Sequence, residues 1–363
     1  MHCASVGEYE QGRPVWQALR ERHPAARFVL SFFSPSGYEH FQGREGHGEV
    51  VYLPWDVGAA PREFVERLSP KLAVFVKYEW WFGYYRALAA ARVPVVLISA
   101  SARPNLLLGS ALPTSLSPYR EALLTLDRVF AQDRATAELL RISGAGDRVE
   151  VAGDTRVDRT MAVRDLPLEE PVLAAWAARQ DVLLVAGSTW GPDEEILAAA
   201  LAERPGLSAL VAPHEVDARA VTATEHRFRV GDARRLSDLG EGFAGRVVVV
   251  DSLGLLARLY RLGQLAYVGG GFGAGIHNVL EPAAYGVPVA FGPRHARFAE
   301  AVELAGRGVG HPVGSPGELL AFLDRHAEEE SRRQVLAAAE AYFAEHAGAT
   351  ARILAYLTEQ GYA

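Results

Sequence analysis

The chain is short of several things that would each open a class of function. It has one cysteine, Cys3, so neither a disulfide within the chain nor a cluster of thiolate ligands is available to it. Lysine is nearly absent: Lys71 and Lys77 are two of 37 basic residues, a bias of genome composition rather than of mechanism. No run of 18 apolar residues occurs, so the sequence offers no transmembrane helix. There is no His-Glu-x-x-His, no Asp-x-Asp and no Cys/His cluster at ligand spacing, so no metal site is expected. Low-complexity segments are missing too, and nothing points to nucleic acid as a partner.

What remains is an ordinary globular composition. A chain of 363 residues is long enough for two domains with a core each. Its residues are 49% hydrophobic and 22% charged, the balance of an α/β protein. The formal charge of −7 is uneven. Residues 1–160 hold 19 basic against 18 acidic side chains, a net of +1, which leaves −8 for the rest. An anionic partner would find the first half more welcoming, although scatter in solvated charge fits the same counts.

Short apolar runs alternate with amphipathic stretches. Strands are expected at 27–33, 50–53, 72–76, 94–99, 128–131 and 148–152, with helices at 12–22, 61–68, 80–91, 118–126 and 135–142 between them. Such alternation predicts parallel sheets with right-handed crossovers. A proline-bearing connector at 166–171 interrupts the series, which then restarts with strands at 181–186, 207–212, 246–250, 265–268, 287–291 and 309–312. The fold expected is α/β, two doubly wound domains at 1–165 and 166–347, with a helix at 348–363 returning to the first. Ligands bind such sheets at the carboxyl ends of their strands.

The most specific stretch runs from Gly269 to Pro282, Gly-Gly-Gly-Phe-Gly-Ala-Gly-Ile-His-Asn-Val-Leu-Glu-Pro. A β run, Leu265–Val268, empties into a glycine-rich turn, and a helix is expected to open at about Asn278 with Glu281 in its first turn. Glycines such as Gly271 let backbone N–H groups approach an anion, and a helix N-terminus adds favourable partial charge. Glu281 can accept hydrogen bonds from two ribose hydroxyls. A turn with no ligand would need only the glycines; His277, Asn278 and Glu281 favour a nucleotide.

Other strand ends carry weaker signals. Ser5-Val6-Gly7-Glu8 follows the first strand, and Glu8 fits a general base or, equally, a carboxylate stabilised by its helix N-terminus. Ser34 reads as an ordinary N-cap. Glu79 closes the strand 72–76, and Arg156 follows the strand 148–152, placed for a phosphate or a surface ion pair. Ser188 and Thr189 put two hydroxyls at a strand end, with Asp193 and Glu194 just beyond. Pro213 and His214 end the next strand. Leu253, Gly254 and Leu255 place backbone groups where a nucleobase edge could be read.

Taken in order, these segments resemble the 3-deoxy-D-manno-octulosonic acid (Kdo) transferases of lipopolysaccharide biosynthesis, in the form found in Bacteroidetes-like bacteria. The resemblance runs nearly end to end, through 2–8, 32–38, 76–79, 152–156, 186–190, 212–215 and the glycine loop to Pro282. It implies a GT-B fold and a metal-independent, inverting transfer of Kdo from CMP-Kdo to the 6′-hydroxyl of a lipid A precursor, with no cofactor. It implies Glu8 as the base and Glu79 and Arg156 as stabilisers of the transition state. Arg156 stands where many members have lysine, which keeps the charge and changes its geometry. Ser188, Thr189, Pro213, His214, Leu253, Gly254, Leu255, Gly271, Asn278, Val279, Leu280 and Glu281 fall on CMP contacts. The family works at the cytoplasmic face of the inner membrane, so peripheral attachment to that surface is expected. It usually carries an N-terminal anchor and a full first strand, and the abrupt start at Met1-His2-Cys3 leads us to expect sequence missing ahead of it. A UDP-sugar glycosyltransferase, a sugar-nucleotide 2-epimerase and a nucleotide-binding module without catalysis are the rivals.

Overall fold

The structure, a computed structural model, describes residues 1–43, 47–77, 80–102, 118–229 and 232–362. The chain forms two compact units, Met1–Arg159 with His346–Ala363, and Thr160–Glu345. The division falls inside the helix Thr155–Arg164 rather than at the connector 166–171. A helix can carry a boundary when its two ends belong to different cores.

The first unit contains strands β1 (His2–Cys3), β2 (Val29–Phe32), β3 (Glu49–Tyr52), β4 (Ala73–Val76), β5 (Val95–Ala100), β6 (Arg128–Ala131) and β7 (Val149–Val151), all parallel, in the order β3-β2-β1-β4-β5-β6-β7. Side chains alternate between two cores with the strand period of two. On β5, Val95 and Leu97 join a cluster with Tyr84, Tyr85 and Leu123, whereas Val96 and Ile98 join Tyr9, Trp16 and Phe130. A sheet buried on both faces needs such continuous apolar strands. The second cluster also takes Ile353, Leu354 and Leu357 of the helix Ala349–Glu359. That helix is capped by Asp158, whose two carboxylate oxygens accept the N–H groups of Gly348 and Thr350, both at 2.6 Å.

The second unit contains β8 (Val182–Thr189), β9 (Leu207–Pro213), β10 (Ala233–Arg235), β11 (Val247–Val249), β12 (Leu265–Val268), β13 (Val289–Phe291) and β14 (Gly310–Pro312), again all parallel, in the order β10-β11-β9-β8-β12-β13-β14. The expected strands are present, trimmed by a residue or two at several ends. β10 was not expected, because Ala-Arg-Arg carries none of the β-branched signal and pairs only as an edge.

In each sheet the chain reverses its direction of growth once, beside β1 in the first and beside β8 in the second. These are the topological switch points, where the loops diverge and leave a crevice at the carboxyl ends. Both sheets also carry an irregularity near that end, between Leu97 and Ala100 and between Gly187 and Thr189. Each holds a serine in the left-handed region, Ser99 at φ 49° and Ser188 at φ 52°.

Candidate active site

At the rim of the first unit, the helix Val6–Arg22 starts directly after β1, and Glu8 lies in its first turn. The Glu8 carboxylate is buried and accepts the N–H of Ala4 at 2.5 Å, folding back over the helix start. One turn on, Gln11 is buried and donates from Nε2 to Asp154 Oδ1 at 2.9 Å. Asp154 grips Arg156 three times, through its N–H at 2.9 Å, Nε at 2.8 Å and Nη2 at 2.6 Å. Burial pushes the Asp154 pKa up, but the Arg156 charge and the hydrogen bonds from Arg156 and Gln11 outweigh it and hold the carboxyl below its usual value. The Thr155 hydroxyl donates to the Gln11 carbonyl and lies 2.8 Å from Ser99 Oγ. Gln11 therefore ties the helix that carries Glu8 to the turn that carries Arg156. Glu79 lies outside the described residues.

At the rim of the second unit, Ser188 and Thr189 end β8 and the helix Gly191–Glu203 follows. The bulge at Ser188 sends the Thr189 side chain inward, where it is buried and donates to Glu194 Oε1 at 3.0 Å. This corrects the expectation that both hydroxyls face a ligand; Ser188 alone is partly exposed. Glu194 also accepts from Thr224 Oγ1 at 2.9 Å and from Arg227.

Asp193 is fully buried and holds three elements at once. Its Oδ2 accepts the N–H groups of Trp190 and Gly270, each at 2.9 Å, and its Oδ1 accepts the Tyr267 hydroxyl at 2.8 Å. The end of β8, the end of β12 and the glycine loop are thereby pinned to one carboxylate. Gly270 has φ 91°, and a Cβ there would come within 2.5 Å of the Gly275 carbonyl. A Cβ on Gly271 would meet the Gly292 backbone at 2.5 Å, so the loop approaches the end of β13 as only glycine allows.

Three rings lie beside this loop. His214, at the end of β9, stacks on Trp190 at 4.6 Å and on His277 at 4.4 Å, and Trp190 Nε1 donates to His277 Nε2 at 3.3 Å. Burial, then the neighbouring His214, lowers the His277 pKa to about 4, so the ring is neutral at pH 7. Pro213 is buried at the end of β9.

Asn278 precedes a helix that is shorter and later than expected, Leu280–Ala283. Its Oδ1 accepts the N–H of Leu280 at 3.1 Å and its Nδ2 donates to Glu281 Oε1 at 3.1 Å. Pro282 lies in the first turn, where a missing N–H is tolerated; Ala283 and Ala284 still donate to the Val279 and Leu280 carbonyls at 3.3 and 2.9 Å, and Gly286, at φ 69°, follows the helix. Val279 and Leu280 bury their side chains. The Tyr260 hydroxyl is pushed well above its ordinary pKa, by burial first and then by the charge of Glu281. In the turn after β11, Leu253 is exposed, Gly254 has φ 86° and Leu255 is half-buried.

Sequence reasoning assigned no role to Trp190, Asp193 or the segment 292–298. Gly292-Pro293 directly after β13 was the available signal for the last, a strand end that cannot continue and can be approached closely.

Two parallel seven-stranded sheets with helices, joined to a glycine loop at the second switch point, define an α/β GT-B fold. Solved structures of that fold agree. A putative UDP-N-acetylglucosamine 2-epimerase from Listeria monocytogenes superposes at a TM-score of 0.63, with 16% identity over 99% of this chain and 95% of that one. Anabaena HepE, in complex with UDP and glucose, gives 0.60, with 14% identity over 99% and 98%. The family is shown by sequence. Residues 1–159 match the model of the 3-deoxy-D-manno-octulosonic-acid transferases (kdotransferases). The 3-deoxy-D-manno-octulosonic acid transferase of Bordetella pertussis is 31% identical, over 98% of this chain and 85% of that protein. That of Aquifex aeolicus is 26% identical, over 89% and 84%. The chain belongs to the Kdo transferase family and is a glycosyltransferase of lipopolysaccharide biosynthesis.

Proposed function

We propose that this enzyme transfers Kdo from CMP-Kdo to the 6′-hydroxyl of a lipid A precursor, with inversion and without a metal or other cofactor. Membership of the Kdo transferase family across 98% of the chain is the observation that carries the reading. Glu8 is the base. The acceptor hydroxyl gives its proton to the carboxylate as its oxygen bonds to the anomeric carbon. The bond from that carbon to the CMP phosphate breaks with its electron pair on the phosphate. The carboxylate is buried in the first turn of the helix that follows β1, at the carboxyl end of the sheet.

Arg156 and Glu79 stabilise the charge that develops in the transition state. Departing CMP is held by backbone N–H groups of the glycine loop and of 278–281, and Glu281 takes the ribose hydroxyls. Neutral His277 and its ring partners give a flat surface for the nucleotide. Among the described residues no helix is long and apolar enough to cross a membrane. We place the enzyme at the cytoplasmic face of the inner membrane as a peripheral protein, and the exposed Trp55 and Val57 of the first unit supply apolar surface for a lipid acceptor.

The test is CMP release from freshly generated CMP-Kdo, with and without a tetra-acylated lipid A precursor. Acceptor-dependent release is expected. A folded protein that releases none, or that is stabilised against heat by UDP and not by CMP, would move the assignment to a UDP-sugar enzyme such as a transferase or 2-epimerase.

A further inference from the structure

The glycine loop is gripped from a side that the nucleotide reading does not use. Asp193 takes the Gly270 N–H. The loop's carbonyls are taken by other donors. His277 N–H reaches the Gly269 carbonyl at 3.1 Å, and Gly273 and Gly275 N–H reach that of Gly270 at 3.0 and 3.3 Å. The remaining donors come from the segment after β13. Arg294 N–H donates to the Gly271 carbonyl at 3.0 Å, Arg294 Nη1 donates to that of Gly273 at 2.8 Å, and Arg297 Nη2 donates to that of Ala274. The Arg297 guanidinium lies 5.0 Å over the Phe298 ring, and that ring packs where a Cβ on Gly275 would stand.

The N–H groups of Gly269, Gly270, Gly273, Gly275 and His277 are taken within the fold as well, so the amides this loop has to offer are those of Gly271, Phe272, Ala274 and Ile276. Backbone donors turned to one side form an anion-binding concavity. Two guanidiniums anchored on the same loop add positive charge beside it. Both side chains are exposed, so solvent screens their charge, while their carbonyl partners hold them on the loop.

We infer that Arg294 and Arg297 are positioning residues for the anionic donor. They hold the glycine loop in the conformation that presents its amides to phosphate, and they bias the site towards negative charge. This rests on the reading of the loop as a nucleotide site. Neither arginine is assigned a bond to the reacting atoms.

The experiment compares wild type with Arg294→Ala/Arg297→Ala and Arg294→Lys/Arg297→Lys, using CMP as the probe in calorimetry, together with steady-state kinetics and amide hydrogen exchange of residues 269–277. The expected result for the double alanine variant is CMP binding about tenfold weaker, with donor KM raised more than kcat is lowered. Loop exchange should be faster, and the lysine variant should recover part of the affinity. Should the alanine variant melt too early to assay, the lysine variant alone decides, through its exchange rates and KM. Wild-type binding with unchanged affinity, KM and loop exchange in the variants overturns the inference and leaves the nucleotide reading intact. Wild type that fails to bind CMP overturns both.

Discussion

The two units share a parallel seven-stranded topology, a single switch point and a left-handed serine near the strand ends, yet their rims are made of different material. In the first unit the rim carries charged side chains, Glu8 folded over its own helix start and Arg156 gripped by Asp154. In the second, the carboxylates Asp193 and Glu194 turn inward to hold strand ends, and the glycine loop lies beside stacked rings. Side-chain charge can accept and return a proton, whereas ordered N–H groups can hold an anion without reorganising. On the function proposed above, one sheet design serves two tasks, according to whether its carboxylates lie at the rim or turn inward.

The comparison breaks first at Glu8. Glu8→Gln keeps an acceptor for the Ala4 N–H and removes the base, so acceptor-dependent CMP release should fall by about 10²–10⁴-fold. CMP affinity, which we assign to the other rim, should not change; equal loss of both would mean that Glu8 serves folding alone.

Next comes Asp193. Asp193→Ala leaves the Trp190 and Gly270 amides and the Tyr267 hydroxyl without their acceptor, at a cost of about 3 kcal/mol in denaturant unfolding. Asp193→Asn, which can still accept the two amides, should cost about 1 kcal/mol. Comparable small losses for both would show that the glycine loop is held by other contacts.

Mild acid should separate the units. His326 lies 3.0 Å from His311 across their Nε2 atoms and 2.9 Å from Ser331 Oγ, with Arg325 and Arg332 nearby. Burial, then His311 and the two arginines, lowers the His326 pKa to about 4, and burial lowers that of His311. A histidine held neutral in the fold takes up a proton on unfolding, so stability falls as pH drops from 6.5 through about 4. The loss should be about 1 kcal/mol at pH 5 after allowance for solvent screening. The depressed Asp154 acts in the same direction but at lower pH: its contribution is present above pH 3.8 and is lost only as pH falls below that value. Hydrogen exchange at pH 5 should therefore open residues 160–345 before residues 1–159, and His326→Gln should narrow the gap. Simultaneous opening would refute it.

The smallest effect belongs to the exposed pair Arg86–Glu121 of the first unit, 2.6 Å apart. Arg86→Ala should leave stability almost unchanged, as screened surface pairs do. A larger loss by thermal melting would mean that surface charge contributes to this unit more than its rim suggests.

The class of fold was legible in the order of residues, because short β-branched runs separated by helical stretches leave a parallel sheet as the way to bury both faces. The glycine loop, the partly exposed Ser188 and the position of Glu8 in a first helical turn were also legible, since each follows from local chemistry next to a strand. The direction of the Thr189 hydroxyl was not, because a single bulge residue reverses the side on which a strand end points. Nor was the four-residue length of the helix at Leu280–Ala283, or the edge strand Ala233–Arg235. What grips the loop became visible only in the fold. Asp193 is 77 residues from Gly270, and Arg294 is 21 from Gly273. Local preference acts over a few residues, whereas which backbone carbonyl a distant guanidinium will find depends on how the sheet brings the ends of neighbouring strands together.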